Sequence, residues 1–435
     1  MQSLINQCTG LGILLILSSG AAWGDSVSQK FANQDPGVLL TADDLASWVL
    51  EVNPGLSAIQ SAAEAAAYRI ESAGSLDDPM MRYAVAPLTA DADRSLNQQL
   101  SFSQKFPWPG TLAAREAAAR HEAVAADRGV DALRLRIIAQ AKSAHAEWRF
   151  VHEGLAIYSA TKRLLDDLIA AALTRYAAGS ALKQDVLQAE VERANLDRYL
   201  LLLARQRANV RARINALLNR SPETPLPAPA RIPIRSTPPA LEALQVLALD
   251  QHPELSRLDA RISASRSRVT VAEKAFYPNF EVGVGYNGVM DDTDKRPLIG
   301  VTINLPFDRD KRRAELGRAK ADTQRAQWTL VERRAELLSD LAQARAEVLE
   351  ARSSVALYST KLVPLAAEYL EATIADYQSG SGTFLNVITA EQRKLSTDLE
   401  LARARSDYAR RFAELERWVG GSIDKVRQTP AGVQR

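Results

Sequence analysis

The chain has 435 residues and carries 54 Lys and Arg against 52 Asp and Glu, a formal net charge of +2. This balance excludes a strongly basic nucleic-acid-binding protein and a strongly acidic one. Hydrophobic residues make up 46% of the chain but aromatic residues only 6%, which favours long helices joined along thin apolar seams over one thick core.

The N-terminus has the pattern of a secretory signal peptide. Residues 1–24 contain no Asp, Glu, Lys or Arg, and the apolar run Leu11–Leu17 is followed by small residues, with Ala22 and Gly24 at the cleavage positions. A buried N-terminal helix is the alternative, because the region before the run lacks Lys or Arg. Cys8, the single cysteine, lies in this segment, so no disulfide is expected in the mature chain. Residues 25–39 are predicted to form a loose leader.

Two segments near the middle and the end of the chain resemble each other. Tyr176–Glu190 and Tyr377–Glu391 share a Tyr-x-x-Gly-Ser motif at an offset of 201 residues. At an offset of 199, Asn53-Pro54 matches His252-Pro253, and two further prolines also match, Pro79 with Pro278 and Pro107 with Pro306. The pattern predicts two structural repeats, 40–220 and 240–420, joined by a proline-rich linker over 221–239 and followed by a tail over 421–435.

Each repeat contains one hairpin of alternating residues. Period-two patterns predict strands over about 79–87 and 96–106 in the first repeat, and over about 279–289 and 297–306 in the second. These lengths suit strands that cross a bilayer at a tilt, but four strands cannot close into a barrel. Either several subunits contribute strands or the sheet is a small soluble one packed on helices. The apolar, lipid-facing side is predicted to include Phe102, Val282, Val284, Val301 and Ile303.

Very long helices are predicted after each hairpin. They cover about 112–178 and 313–379, and each is followed by a return helix, over 181–219 and 382–418. About 65 residues of helix span roughly 100 Å, a length typical of coiled-coil rods and tunnels. No later stretch has the roughly 18 uninterrupted apolar residues of a membrane-spanning helix, so insertion into a membrane would have to use strands.

The sequence offers no sign of catalysis. It contains no phosphate-binding glycine loop, nucleophile elbow or cluster of Cys and His with metal-ligand spacing, so no enzyme activity, cofactor or metal site is predicted. His145 and His152 are seven residues apart, but two ligands make a weak metal site, and the histidines are expected to lie on the surface. Glu190 and Glu391 are likewise interpreted as ordinary surface charges.

The duplicated helix-hairpin-long helix-helix unit and its two Tyr-x-x-Gly-Ser segments resemble the TolC-type outer-membrane efflux protein family over about 40–420. Ser103–Gly110, Asn53-Pro54 and His252-Pro253 resemble the heavy-metal and cation efflux branch. The resemblance implies a mainly α fold with a small β part. It also implies a homotrimer whose strands close a 12-stranded outer-membrane β-barrel, continued by a periplasmic α-helical tunnel.

The resemblance further implies an exit channel that acts with a periplasmic adaptor and an inner-membrane pump, the latter expected to be of the resistance-nodulation-division type. Heavy-metal cations are a possible cargo. The residues implied at the adaptor-docking periplasmic gate are Tyr176, Gly179, Ser180, Asp185 and Val186 with their counterparts Tyr377, Gly380, Ser381, Asn386 and Val387.

One departure from the family pattern concerns the gate. The second copy of the best-known pattern carries aspartates, whereas this chain has Asn386 and Thr389, so an acidic constriction built from the second repeat is not expected. Two other functions stay open: an exit duct for type I protein secretion, and a periplasmic coiled-coil scaffold whose hairpins pack on its own helices.

Overall fold

The computed structural model describes residues 39–86, 97–288 and 296–423. The predicted signal peptide, residues 25–38 of the leader and residues 424–435 of the tail lie outside the described residues. Across the described part of the chain, no helix combines the length and apolar character needed to cross a membrane.

The two repeats have the same order of elements. The first contains α1 (Ala42–Val52), α2 (Pro54–Gly74), β1 (Met80–Ala86), β2 (Asn97–Phe106), α3 (Thr111–Ala177) and α4 (Lys183–Leu217). The second contains α5 (Leu241–Gln251), α6 (Pro253–Lys274), β3 (Asn279–Asn287), β4 (Pro297–Asn304), α7 (Arg309–Leu357), α8 (Val363–Ser379) and α9 (Phe384–Val419). The predicted mainly α fold with a duplicated helix-hairpin-long helix-helix unit is confirmed.

One element differs between the repeats. The long helix of the first repeat is continuous, whereas that of the second contains a π-helical turn, Tyr358–Leu362, between α7 and α8. Pro364 lies two residues after this turn. Because proline has no backbone N–H and its ring crowds the carbonyl four residues earlier, a widened turn relieves the clash.

Repeat-equivalent residues start α2 and α6 in the same way. Asn53 and His252 both have φ −69° and ψ 119°. The Asn53 Oδ1 atom accepts from Leu56 N at 3.2 Å, and the His252 Nδ1 atom accepts from Glu254 N at 3.3 Å. Pro54 and Pro253 then occupy the first helical position, where the missing N–H has no intrahelical partner to lose. The paired Asn-Pro and His-Pro motifs are therefore helix starts.

The four strands form one antiparallel sheet in the order β1-β2-β3-β4. Residues paired across neighbouring strands share a face of the sheet. One row of partners is Met81, Phe102, Val284 and Ile299; the next rows hold Val282 with Val301, and Phe280 with Ile303. The five residues predicted to face lipid thus lie on one side, and within the protomer they are 42–62% exposed. Ser101, Gly285 and Thr302 lie on the other side.

The described chain divides into two compact units, and each takes residues from both repeats. Unit 1 comprises the described parts of Met1–Leu56, Arg134–Pro239 and Gln343–Arg417. In it the proline-rich linker pairs with the start of the chain: Leu40 N donates to Ala228 O, and Ala230 N donates to Leu40 O, both at 2.8 Å. Trp148 Nε1 donates to Pro227 O at 3.0 Å, so helix α3 holds the linker as well.

Unit 2 comprises the described parts of Ser57–Leu133, Ala240–Ala342 and Trp418–Arg435, and it contains the sheet. Trp108, just after β2, stacks on Tyr277 with ring centroids 4.7 Å apart. The Trp108 N atom donates to Asn279 Oδ1 at 3.2 Å. These contacts connect the end of one hairpin to the start of the other.

We predict that Asn53→Ala destabilises the protein by about 1–2 kcal/mol. The substitution removes the cap on Leu56 N and also the Asn53 Nδ2 donor, which reaches Leu217 O at 3.1 Å. Chemical unfolding of the protein measures the loss. Asn53→Asp keeps the cap but not the donor and should lose less. Unchanged stability of Asn53→Ala would contradict this account.

Candidate functional site

Two equivalent turns connect the long helices to the return helices. After α3, Gly179 has φ +72°, and Ser180 N donates to Arg175 O at 2.9 Å. After α8, Gly380 has φ +84°, and Ser381 N donates to Asp376 O at 3.0 Å. This bond to the residue five positions earlier, with a left-handed residue before it, is a common way to end a helix, and glycine adopts it without steric cost.

The serines of the motif have a physical role in these turns. Ser180 Oγ donates to Arg175 O at 3.0 Å, and Ser381 Oγ donates to Asp376 O at 3.2 Å. Each serine therefore supplies two donors to one carbonyl at the C-terminal end of its helix, where carbonyls run short of helical partners. The Gly-Ser repeat in the sequence is thus explained by the geometry that ends both helices.

The tyrosines of the motif differ between the two turns. Tyr176 is exposed, whereas Tyr377 is buried and packs edge-on against Phe384, with ring centroids 5.3 Å apart. The Arg175 guanidinium donates to the Tyr377 carbonyl and lies 4.6 Å from the centre of its ring. Burial raises the pKa of Tyr377, and the carboxylate of Asp185 adds to this effect. Arg175 and Tyr377 therefore join the two turns.

The predicted gate residues fall into two groups. Gly179, Ser180, Gly380, Ser381 and Asn386 are exposed at the turns with Tyr176, and Asp185 is half-buried. Val186, Val387 and Tyr377 lie in the apolar core of the four helices that meet here. These three residues hold the turns together and do not face a partner.

The structure adds exposed apolar residues that the motif does not include. Leu182 directly precedes α4, Leu187 lies in its first turns, and Leu385 lies in the first turn of α9, and all three are exposed. The sequence contained a sign of these exposed residues, because Leu187 directly follows the buried Val186 and Leu385 directly follows the buried Phe384. Neighbouring residues on a helix point in different directions. Only the packing shows on which side of the helix each lies.

Glu391 contradicts its interpretation as a surface charge. Its side chain is 1% exposed, and neither carboxylate oxygen has a hydrogen-bond partner within the described residues. Burial raises the pKa of Glu391 from 4.5 to about 7, with a further contribution from the carboxylate of Glu192 and an opposing one from Lys394. Its repeat counterpart Glu190 is exposed, as predicted.

A sequence signal for this burial existed but was missed. Phe384, Ile388, Glu391 and Leu395 follow one another at spacings of four, three and four, which place them on one helix face. All four are buried. Glu391 therefore occupies a position of the buried stripe where an apolar residue is normal. Because Glu generally lies on the surface, the sequence analysis assigned it there.

Two histidines were also placed incorrectly on the surface. His145 is buried, and its Nε2 donates to Leu40 O at 2.8 Å. His252 is buried as the cap of α6. His152 is half-buried beside Trp148, with ring centroids 4.4 Å apart. Burial lowers the pKa of both His145 and His152. Over residues 39–86, 97–288 and 296–423, no group of three or more His, Cys, Asp or Glu side chains could hold a metal ion.

The carboxylates that line one cavity of unit 1 are paired with cations. This cavity, of about 370 Å³, is lined by Asp43, Lys142, Arg235 and Glu416 among others. Lys142 Nζ lies 2.7 Å from a Glu416 oxygen and 3.2 Å from an Asp43 oxygen, and Arg235 lies 3.2 Å from Glu416. Both of its carboxylates have a cationic partner, unlike Glu391.

Comparison with known proteins shows what the chain is similar to. Residues 244–421 match the model of the outer membrane efflux protein family, and the solved structures described below share the fold over 88% of the chain. The predicted resemblance is thus confirmed.

Solved outer-membrane channels have this fold. The channel OprN is 19% identical, with a TM-score of 0.76 over 88% of this chain and 90% of its own. VceC of Vibrio cholerae is 21% identical, with a TM-score of 0.74 over 88% of this chain and 96% of its own. Nodulation protein T of Rhizobium leguminosarum bv. trifolii is 23% identical over 321 residues, which are 69% of this chain and 67% of that protein. Because these sequence identities and TM-scores are all alike, they do not assign the chain to one branch of efflux proteins. Heavy-metal efflux therefore stays a prediction.

We predict that Gly179→Val or Gly380→Val distorts the turns. Each position has a positive φ and no atom within 4 Å of an added Cβ, so the cost is backbone strain of roughly 1–2 kcal/mol. For the exit channel and homotrimer that the resemblance implies, export should fall while the amount of folded trimer, measured on unheated gels, stays near normal. Gly317→Val is the matched control, because Gly317 is equally open but helical. Equal loss of trimer and export would show that the glycines serve only folding.

We also predict that Glu391→Gln changes the dependence of stability on pH. Between pH 4.5 and about 7 the carboxyl stays protonated in the folded protein but ionises in the unfolded chain. The free energy of unfolding therefore falls as the pH rises through this window, by up to about 3 kcal/mol, and then levels off. Glu391→Gln should remove this contribution.

Unfolding measurements from pH 4.5 to 8 test this, with Glu190→Gln as the matched control. The difference between wild type and Glu391→Gln should grow towards pH 7, whereas Glu190→Gln should follow the wild type. A difference that is constant over this pH range would contradict a raised pKa of Glu391.

Proposed function

We propose that this protein is the outer-membrane exit channel of a tripartite efflux system. In this role it is a passive duct, and substrate reaches it from an inner-membrane pump through a periplasmic adaptor. The proposal extends to this chain the role of the similar protein OprN, which is an outer-membrane channel. The sheet and the paired turns are the parts of this chain that support it.

The apolar face of the sheet is the main observation that supports the proposal. Across β2, β3 and β4 the same side presents Leu100, Phe102, Val284, Val301 and Ile303, all exposed in the protomer. A contiguous exposed apolar face of this kind marks contact with a partner or a membrane. Apart from Met80, Leu298 and alanines of β1, the opposite face carries polar residues and glycines, as expected for a surface in contact with water.

The ends of the sheet support assembly of several copies. In the described sheet β1 and β4 are edge strands, so each leaves one side of its backbone without a strand partner. Open edges are not tolerated in lipid, where backbone groups have no water to bond. Three copies placed edge to edge would close a 12-stranded β-barrel and pair every edge. We propose that the protein is this homotrimer in the outer membrane of a Gram-negative bacterium.

The paired turns are the proposed docking site for the adaptor. Their exposed surface combines Tyr176, Leu182, Leu187 and Leu385 with polar groups on Asp185 and Asn386. An apolar patch with polar groups at its margin suits a protein partner. The carboxylate of Asp185 has an amide counterpart in Asn386, so the two turns present different charges. The pump type and the cargo, including heavy-metal cations, remain predictions from the sequence.

Arginine substitutions on the two faces of the sheet test the proposal. Phe102→Arg and Val301→Arg place a charge in the lipid-facing row, at a cost of about 2–4 kcal/mol each near the middle of the bilayer. We expect loss of heat-sensitive trimers on gels and loss of the protein from the outer-membrane fraction.

Neighbouring residues provide matched controls for these variants. Ser101→Arg and Thr302→Arg add the same charge one residue away on the opposite face, and both should assemble. Equal behaviour of the two pairs would contradict a lipid-facing side. A wild-type protein recovered as a soluble periplasmic monomer would overturn the proposed function altogether.

A further inference from the structure

A cavity in unit 1 is lined by Glu391. It has a volume of about 460 Å³ and lies among helices α3, α8 and α9. Most of its wall is apolar and consists of Ala156, Ile157, Ala160, Leu164, Leu370 and Leu395. The polar part of the wall consists of Thr161, Glu153, Lys394, Asp398 and Glu391. The volume is within the range of small-molecule sites.

The charges of the cavity wall are paired except for one. Lys394 Nζ lies 2.6 Å from an Asp398 oxygen. Glu153 lies 3.3 Å from Arg149 and 3.0 Å from Arg405. Glu391 is the remaining carboxylate, and it has no ion pair or hydrogen bond with the described residues.

Charges behind the cavity do not neutralise Glu391 either. From α4, Glu192 repels the negative charge of Glu391, and Glu192 itself accepts a hydrogen bond from Asn195 Nδ2 at 3.4 Å. From α9, Lys394 attracts it, but Lys394 is already paired with Asp398. A buried carboxylate with more acidic than basic neighbours is costly unless a cation or a proton joins it.

The residues that line the cavity indicate which type of cation would bind at Glu391. A metal ion needs several oxygen or nitrogen ligands, and the described residues offer no cluster of three. An apolar wall does not replace the hydration shell of a small inorganic ion. It does suit the hydrocarbon part of an organic cation, whose charged head would pair with the single free carboxylate.

We propose that this cavity binds an amphipathic organic ammonium ion, with its apolar part among Ile157, Leu164 and Leu370 and its charged head at Glu391. The site lies within one protomer and does not depend on the proposed channel function. Protons compete with the ligand, since only the ionised carboxylate attracts the ammonium head.

Titration calorimetry of the full-length protein in a non-ionic detergent tests the site. The probe is benzyltrimethylammonium chloride, measured at pH 6 and pH 8 at matched ionic strength in NaCl. We expect one site per protomer. Because the pKa of Glu391 is about 7, the ionised fraction rises roughly tenfold between the two pH values, and the affinity should rise by the same factor.

Three variants identify the residues involved. Glu391→Gln keeps the shape of the side chain but removes the charge, and it should lose the binding and its pH dependence. Ala160→Phe leaves Glu391 intact and fills the cavity, and it should also lose binding. Glu190→Gln removes the exposed repeat counterpart and should bind like the wild type.

Specific outcomes would overturn the proposal. These are no saturable binding to the wild type, equal binding by Glu391→Gln, or equal binding of the uncharged benzyl alcohol. Competition by Na⁺ or K⁺ at the same concentration as the probe would also overturn it, because the site would then take inorganic cations.

Discussion

The narrow apolar seam between neighbouring helices is the constraint on which this structure depends. Helix α3 has 67 residues, and exposed helices gain little stability from their own hydrogen bonds, so packing of an apolar stripe must hold them. In unit 1 the stripe includes Leu165, Leu196, Val387 and Leu395. A seam this thin leaves few core positions, and each residue in it has a large effect on its neighbours.

Within this constraint, the two repeats share their architecture but differ in burial. Both turns use glycine at a positive φ and a serine that donates twice to one carbonyl. Yet Tyr377 and Ile388 are buried where Tyr176 and Leu187 are exposed. At these two pairs of positions the second copy thus supplies core residues, whereas the first presents a surface. Duplication followed by such divergence gives one chain two related turns with different neighbours.

Glu391 is the clearest consequence of this divergence. Its counterpart Glu190 lies in water, whereas Glu391 takes an apolar position in the seam. A carboxylate there costs stability when it ionises, and it leaves a single negative charge in an otherwise neutralised cavity wall. The same feature that weakens the seam therefore provides a site for a proton or a cation.

The sequence by itself determined the repeats, the hairpins, the faces of the strands and the glycine turns, because periodicity, proline and glycine act through local geometry. The burial of Glu391, Tyr377 and His145 was decided only by the tertiary structure. Burial depends on which helix packs against a given face. Two adjacent residues of a helix can therefore differ, one exposed and one buried, because of neighbours that are distant in sequence. For the same reason the motif indicated the turns, while the packing decided which of their residues support the core and which face a partner.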